Sequence, residues 1–135
     1  MNLKPLLAAF LFIPAIVFAQ TVPNMIGTWK GTGNATVMGS YGHHVSGQRN
    51  KVHVNHVPFT MIIDHQEGVN FWGIFSSKDF KEEIIAAISI DLQGGIMVDS
   101  DGIYNFKLPD SNTIQMCYAQ LQKPKVAACQ ELKKQ

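Results

Sequence analysis

The chain is poor in charge, and this shortage excludes two classes of protein. Charged residues make up 16% of the 135 residues, and the formal net charge is +1. No run of lysine and arginine is longer than the Lys133-Lys134 pair, so the basic stripe that nucleic-acid binding requires is missing. Hydrophobic residues reach 46%, which is unlike the composition of a disordered chain. We therefore expect a folded domain that binds no nucleic acid.

Long apolar runs are also scarce, and the longest lies at the N-terminus. It extends over Leu6–Phe18, about 13 residues, whereas a membrane-spanning helix needs about 20. Lys4 precedes the run, and Val17 and Ala19 occupy the −3 and −1 positions of a signal-peptidase site. We predict a cleaved signal peptide over 1–19 and a single domain over 20–135. The mature protein is then periplasmic or secreted and has no membrane span.

Motifs that carry catalysis or bind cofactors are missing as well. We find no nucleophile elbow, no phosphate-binding glycine loop and no C-x-x-C pair. The stretch Asp99-Ser100-Asp101-Gly102 opens like a calcium loop, but position 110 is Asp where that loop needs a bidentate Glu. A hairpin turn explains the stretch equally well. We expect no enzyme activity and no cofactor.

Histidines are the one group of potential metal ligands, and their spacing matches no zinc site. Alternation places His53 and His56 on opposite faces of one strand, so the two do not chelate together. We interpret all five as solvated surface residues and expect no metal: His43, His44, His53, His56 and His65.

Only two cysteines are present, Cys117 and Cys129. Their midpoint is Lys123, in the turn-like Gln122-Lys123-Pro124, so a regular hairpin places them directly opposite each other. Disulfides persist in exported proteins, and no companion metal ligand or redox motif accompanies this pair. We predict a structural disulfide.

The rest of the sequence consists of short apolar runs separated by turn residues, which is typical of an all-β domain. We predict eight or nine strands that form an antiparallel up-and-down barrel, with a sandwich as the alternative. The first strand ends near Thr32 and a second covers Asn34–Met38. Pro58 breaks the strand that begins at Lys51, because proline interrupts a ladder. The Gly-, Ser- and His-rich segment 39–50 is a long loop.

Period-two alternation then separates an inner face from an outer face. Trp29 shares its face with Gly27, Gly31 and Gly33, which suits a ring pointing into a tightly coiled barrel. The predicted interior residues are Trp29, Phe59, Met61, Ile63, Phe71 and Phe75. Trp72 and Ile74 fall on the opposite face of a strand that is apolar on both sides, and exposed apolar patches of this kind often mark interfaces.

The opening Gly27-Thr28-Trp29 resembles the first strand of the calycins, a group that includes lipocalins, avidins and fatty-acid-binding proteins. Avidins place ligand-binding Asn and Ser residues where this chain has Gly31 and Ala35, so the resemblance does not carry biotin binding. The chain also resembles a group of small exported bacterial proteins of no established function. The shared pieces lie at 27–32, 58–73 and 99–129. The first resemblance implies a calycin-like barrel, and the second implies that the barrel is exported.

Two functions remain open from the sequence. In the first, the barrel binds a small apolar or amphipathic ligand in its interior, with Trp29 closing one end and loop 39–50 gating the other. Barrels of eight strands hold either one small ligand or their own side chains. In the second, a filled barrel acts through Trp72 and Ile74 as a protein-binding, inhibitor-like module or a homo-oligomer.

Overall fold

The computed structural model describes residues 21–39, 51–122 and 124–135, which form a closed barrel of eight antiparallel strands. Each strand pairs with the next along the chain, and β8 pairs with β1 to close the barrel. The strands are β1 (Gly27–Met38), β2 (Val52–Glu67), β3 (Asn70–Ser76), β4 (Lys81–Ile88), β5 (Gly94–Val98), β6 (Ile103–Asp110), β7 (Thr113–Gln120) and β8 (Lys125–Lys134). The predicted all-β up-and-down barrel is therefore confirmed. The predicted signal peptide, and residues 40–50 of the predicted gating loop, lie outside the described residues.

The predicted interruption of the first strand near Gly33 is wrong, because β1 continues through it. Gly33 pairs with Val57 of β2 on one side and with Gln130 of β8 on the other. A strand with partners on both sides keeps its ladder even where a glycine weakens it.

Pro58 does not interrupt β2 either, which is a second correction. The proline is exposed and pairs with Thr32 of β1. Pairing between β2 and β3 begins only at Thr60, opposite Ser76. At Pro58 the described part of β3 therefore requires no backbone N–H from β2, which is the edge position where a proline is tolerated.

The alternating strand directions give the barrel two different ends. One end carries the β3–β4, β5–β6 and β7–β8 turns, and we call it the mouth. The opposite end, which we call the base, carries the β2–β3, β4–β5 and β6–β7 turns together with the start of β1.

The segment that precedes β1 seals the base. Met25 is buried, and its backbone N–H donates to Oε1 of Gln66 at 2.7 Å. The indole Nε1 of Trp29 donates to the carbonyl oxygen of Met25 at 2.9 Å. Lys134 donates to the carbonyl oxygen of Asn24 at 2.7 Å, and its Nζ lies 5.3 Å from the centre of the Trp29 ring. Trp29 is fully buried as a result.

The predicted disulfide is confirmed. Cys117 of β7 and Cys129 of β8 are directly opposite each other, with 4.1 Å between their Cα atoms and 2.05 Å between their sulfur atoms. Both residues are exposed on the outer wall.

Candidate functional site

A cavity of about 250 Å³ lies inside the barrel at the mouth. Its walls combine inner-face residues of β1, β2, β3, β6, β7 and β8 with Glu82 at the start of β4 and with residues of the β3–β4 and β5–β6 turns. The described lining residues are Ala35, Val37, Asn55, Val57, Phe59, Phe75, Ser77, Asp79, Phe80, Glu82, Asp99, Tyr104, Tyr118, Val126, Ala128 and Gln130. The interior is therefore packed at the base and hollow at the mouth.

Five aromatic rings in mutual contact form one wall of the cavity. Phe59 and Phe75 are stacked, with 5.1 Å between ring centres and 16° between ring planes. Phe80 leans over both, at 6.1 Å from the centre of Phe59 and 5.9 Å from that of Phe75. Tyr104 meets Phe75 edge to face at 5.6 Å, and Tyr118 lies 4.5 Å from Tyr104. Aromatic pairs with ring centres about 4.5–7 Å apart attract each other beyond the burial of their area, so these contacts stabilise the wall.

In contrast to the apolar aromatic wall, the rim of the cavity is acidic. Asp79, Glu82 and Asp99 contribute its carboxylates. Asp99 is fixed by the β5–β6 turn, since its Oδ1 accepts from the backbone N–H groups of Asp101 at 2.9 Å and Gly102 at 2.7 Å. Ser100 of the same turn donates to Oε1 of Glu82 at 3.1 Å. The predicted hairpin turn at 99–102 thus exists and also holds an acidic rim in place.

Two phenol groups of the aromatic wall donate hydrogen bonds, and that of Tyr104 reaches the rim. Tyr104 donates to Oδ2 of Asp99 at 2.9 Å, and Tyr118 donates to Oε1 of Gln120 at 3.2 Å. Burial raises the pKa of both phenols well above the ordinary value, and the negative charge of Asp99 raises each pKa further. Both tyrosines therefore stay neutral and act as hydrogen-bond donors near pH 7.

Gln130 is a polar side chain on a face of β8 where its neighbours are apolar. It is only 6% exposed, it lines the cavity, and its Oε1 has no hydrogen-bond partner among the described residues. A buried acceptor left unpaired costs roughly 1–3 kcal/mol. A Cβ atom on Gly33 would lie 2.8 Å from Gln130 Cβ and 2.9 Å from Phe59 Cε2. The absence of a side chain at Gly33 thus leaves room for Gln130 and Phe59.

The six predicted interior residues are all buried, but the structure divides them between two regions. Phe59 and Phe75 line the cavity. The other four pack in the part of the barrel nearer the base and are not among the cavity-lining residues: Trp29, Met61, Ile63 and Phe71.

Several residues of the cavity were not predicted from the sequence. Alternation along β6 and β7 places Tyr104 and Tyr118 on the inner face, so this pattern offered a signal for them. Gln130 also carried a signal, as a polar residue on the face shared by Val126, Ala128 and Leu132. The positions of Glu82 and Asp99 at one rim depend on strand register, for which the sequence offered no signal.

The histidines differ from one another in their surroundings. His56 is exposed, and His65 is exposed and bonded to Asp64 with 2.8 Å between Nδ1 and Oδ1. That hydrogen bond lowers the pKa of Asp64. His53 is not a solvated surface residue as predicted, because it is half-buried, lies on the same face of β2 as Asn55, and keeps Nε2 buried without a partner in the described chain. His43 and His44 lie outside the described residues.

The outer wall of β2 to β6 is apolar over a continuous area. Trp72 is 39% exposed and stacks on the ring of His65 at 5.2 Å. Directly paired outward positions run from Trp72 to Ile85, then to Val98 and Ile103. Ile62 and Ile74 form a second pair beside this row. The C-terminal tail does not cover the wall, since Gln135 is bonded to Thr28 on β1.

The described ranges contain neither a candidate metal site nor a candidate membrane-spanning helix. Within 21–39, 51–122 and 124–135, no three His, Cys, Asp or Glu side chains are grouped so that they could hold a metal ion. The same part of the chain contains no helix with the length and hydropathy of a membrane span. No family model matches the chain, and a search of curated proteins finds no significant match.

Proposed function

We propose that this protein is a non-enzymatic binding protein that holds one small amphipathic ligand in the cavity at the mouth. The observation that supports this proposal most directly is the cavity itself, a hollow of about 250 Å³ with an aromatic wall and a polar rim. Binding sites for small molecules typically combine apolar walls with a few well-placed polar groups. Side chains that merely filled a barrel would leave no such space.

The size of the cavity limits the ligand. Its volume of about 250 Å³ is slightly below the range of roughly 300–1,000 Å³ of sites for drug-sized molecules. It exceeds the roughly 150 Å³ of an apolar cavity that holds benzene. We therefore propose a ligand of about one ring with a short polar extension, rather than a fatty acid or a multi-ring molecule.

We place the protein in the periplasm or outside the cell. The formed disulfide between Cys117 and Cys129 supports this location, because disulfides persist in oxidising compartments. A relationship to the calycins is likewise a proposal, supported by the closed eight-stranded barrel and by the Gly27-Thr28-Trp29 opening. The resemblance to small exported bacterial proteins belongs to the same proposal.

Native mass spectrometry of the protein purified from cells that export it tests the proposal. We expect an additional mass on the monomer that disappears when the protein is denatured. Ala128 lines the cavity, whereas its neighbour Ala127 is exposed on the other face of β8. Ala128→Leu should therefore remove the additional mass by filling the cavity, and Ala127→Leu should retain it. A bare wild-type chain, or an additional mass that survives Ala128→Leu, would contradict the proposal.

A second candidate function uses the apolar outer wall as a contact surface for a protein partner or for a second copy of the chain. The observation that favours it is the directly paired row from Trp72 to Ile103, since exposed apolar surface of this kind is enriched at interfaces. Tryptophan is one of the residues that contribute most of the binding energy when they are desolvated at the centre of an interface.

Trp72→Glu distinguishes this second function from ligand binding. If the wall is an interface, the variant should lose at least tenfold in affinity for its partner or for itself, because a carboxylate replaces an apolar contact. Val54→Glu is the matched control, since Val54 is also exposed on an outer face but lies at the mouth end of β2. Light scattering and pull-down experiments with both variants provide the measurement. Equal behaviour of the two variants would exclude the Trp72 wall, and a ligand in the cavity should be retained by both.

A further inference from the structure

We infer that the mouth cavity binds one side chain of an extended peptide, whose backbone adds as a further strand to an open edge of β2. This inference rests on the proposed function, because the cavity holds the side chain, and it adds the chemical class of the ligand. Two observations carry it, namely a stretch of β2 that has a partner strand on one side only, and the position of that stretch beside the cavity.

The first half of β2 has a strand partner on one side only. It pairs with β1 from Val52 opposite Met38 to Pro58 opposite Thr32. On the other side, pairing with β3 begins at Thr60. Among the described residues, no backbone hydrogen bond from a turn or loop reaches 52–58. We call the unpaired side of Val52–Pro58 the open edge, and it is about 20 Å long.

Pro58 indicates which backbone groups face the open edge. Proline has no N–H, so within a paired strand it occupies a position whose nitrogen faces away from the partner strand. Residues two apart in an antiparallel strand direct their N–H and C=O groups to the same side. Val52, Val54 and His56 therefore direct these groups away from β1. Three donors and three acceptors in a row match one edge of an extended peptide.

The open edge lacks the features that keep strand edges from pairing. Such edges are commonly protected by charged side chains, by proline or by a bulge. Positions 52–57 read Val-His-Val-Asn-His-Val and contain no lysine, no acidic residue and no proline. The register with β1 is continuous through this stretch, so it contains no bulge toward β1. The edge is therefore suited to accept a further strand.

The open edge borders the cavity. Asn55 and Val57 lie on the inner face of this half of β2, and both line the cavity. Burial decreases toward the edge, since Ala35 of β1 is buried whereas its partner Asn55 is only half-buried. A residue opposite Asn55 on an added strand has its side chain on the same face, with about 5 Å between the Cβ atoms. That side chain enters the cavity.

The cavity fits an aromatic side chain. Its volume of about 250 Å³ exceeds the roughly 150 Å³ of an apolar cavity that holds benzene. The stacked rings of Phe59 and Phe75 offer it an apolar surface. When a peptide adds to a sheet, backbone hydrogen bonds supply affinity and side-chain pockets supply specificity. The peptide that fits best therefore has an aromatic residue opposite Asn55.

A second copy of the chain fits the open edge less well. Two copies could pair through the same stretch of β2, but Asn55 and Val57 of each copy already line the cavity of that copy. Such a pair would satisfy the backbone groups and place no new side chain in either cavity. A peptide satisfies the backbone groups and also fills the cavity.

Isothermal titration calorimetry on the mature protein tests the inference with three probes. The first is an acetylated and amidated hexapeptide of threonine with one central phenylalanine. The second replaces the phenylalanine with alanine, and the third is N-acetylphenylalanine amide, which has the ring without the strand. We expect the first probe to bind at least ten times more tightly than either of the others.

Removal of backbone donors then assigns binding to the open edge. Two further hexapeptides carry N-methyl groups on alternate residues, one set for each edge of the peptide. One of them should lose binding and the other should keep it, because only one edge of the peptide faces β2. On the protein, Val54→Pro removes an N–H of the open edge and should weaken the hexapeptide at least tenfold, with N-acetylphenylalanine amide unaffected. Val22→Pro is the matched control, since Val22 is an exposed valine that precedes β1, and it should bind like the wild type.

The outcomes separate this inference from the proposed function. If N-acetylphenylalanine amide binds as tightly as the hexapeptide, strand addition is overturned and ligand binding in the cavity stands. Equal binding of the two N-methylated peptides, or of the alanine peptide and the phenylalanine peptide, also overturns the inference. A dimer that Val54→Pro dissociates, together with no peptide binding, would assign the open edge to a second copy instead. If no probe binds, the peptide class is overturned, and the additional mass in Ala128→Leu compared with Ala127→Leu decides separately whether the cavity binds a ligand.

Discussion

Gly31→Ala should lower the free energy of unfolding by about 3 kcal/mol or more, at the upper end of what overpacking costs. A Cβ atom on Gly31 would lie 1.8 Å from the backbone carbonyl oxygen of Glu131. A side chain in the way can rotate aside, but a backbone carbonyl of β8 moves only if the strand moves. Gly31 pairs with Leu132 at the seam where β8 closes the barrel on β1. The substitution therefore acts on closure of the whole barrel.

Gly68→Ala is the control for this prediction. Gly68 has a φ of +56°, and a Cβ there would meet no atom within 4 Å. Alanine at this position strains the backbone but its Cβ meets no other atom, so we expect the free energy of unfolding to fall by about 1 kcal/mol. Urea unfolding followed by tryptophan fluorescence gives both values. If Gly31→Ala costs no more than Gly68→Ala, the close approach of β1 and β8 is not a requirement of the fold.

The faces of the strands could be predicted from the sequence because alternation is a local property. Phe59, Met61 and Ile63 are buried as predicted, and the outward direction of Trp72 was also correct. Period two requires no knowledge of the neighbouring strand, so it remains informative when the order of strands is unknown. The disulfide was predictable for a similar reason, since a single hairpin brings Cys117 and Cys129 together.

Depth along the barrel was not predictable in this way. Trp29 and Phe59 belong to the same inner surface, yet one lies at the base and the other lines the cavity. Their separation depends on the register between β1 and β2, in which Trp29 pairs with Met61 and Gly31 with Phe59. Register is set by the contacts of whole strands, and a pattern within one strand contains no information about it.

The acidic rim also depends on contacts between strands, which a pattern within one strand does not predict. Glu82 lies at the start of β4 and Asp99 lies in the turn after β5, and Ser100 joins them through a hydrogen bond across 18 positions of the chain. The composition of the 99–102 stretch indicated a turn, and the turn is present. The hydrogen bond that the Asp99 carboxylate accepts from the phenol of Tyr104 follows only from the folded arrangement.

Glycine and proline led to the two errors in the strands. Pro58 was interpreted as a break because proline weakens a ladder, and the first strand was ended at Thr32, just before Gly33. In the barrel, Gly33 lies between two partner strands and Pro58 lies where β3 has not yet begun to pair. The local preference was real, but the tertiary context decided the outcome, as it commonly does for β propensity.

Replacing both cysteines with serine should lower the free energy of unfolding by about 3 kcal/mol, because the disulfide closes a loop of about 13 residues in the unfolded chain. The two residues are 12 positions apart, and β7 and β8 pair on both sides of them, from Thr113 opposite Lys133 to Gln120 opposite Val126. The native hairpin keeps its ladder without the bond, so we expect the double variant to fold. The loss then comes from the larger freedom of the unfolded state.

Urea unfolding with and without a reducing agent measures this effect on a single scale. The wild type in reducing agent should approach the Cys117→Ser/Cys129→Ser variant, and the variant itself should not respond to the reducing agent. Both cysteines are exposed on the outer wall, and neither lines the cavity. Binding of a ligand per folded molecule should therefore be unchanged. A loss below about 1 kcal/mol would mean that the ladder between β7 and β8 persists in the unfolded chain, and that the disulfide constrains little that the hairpin does not already constrain.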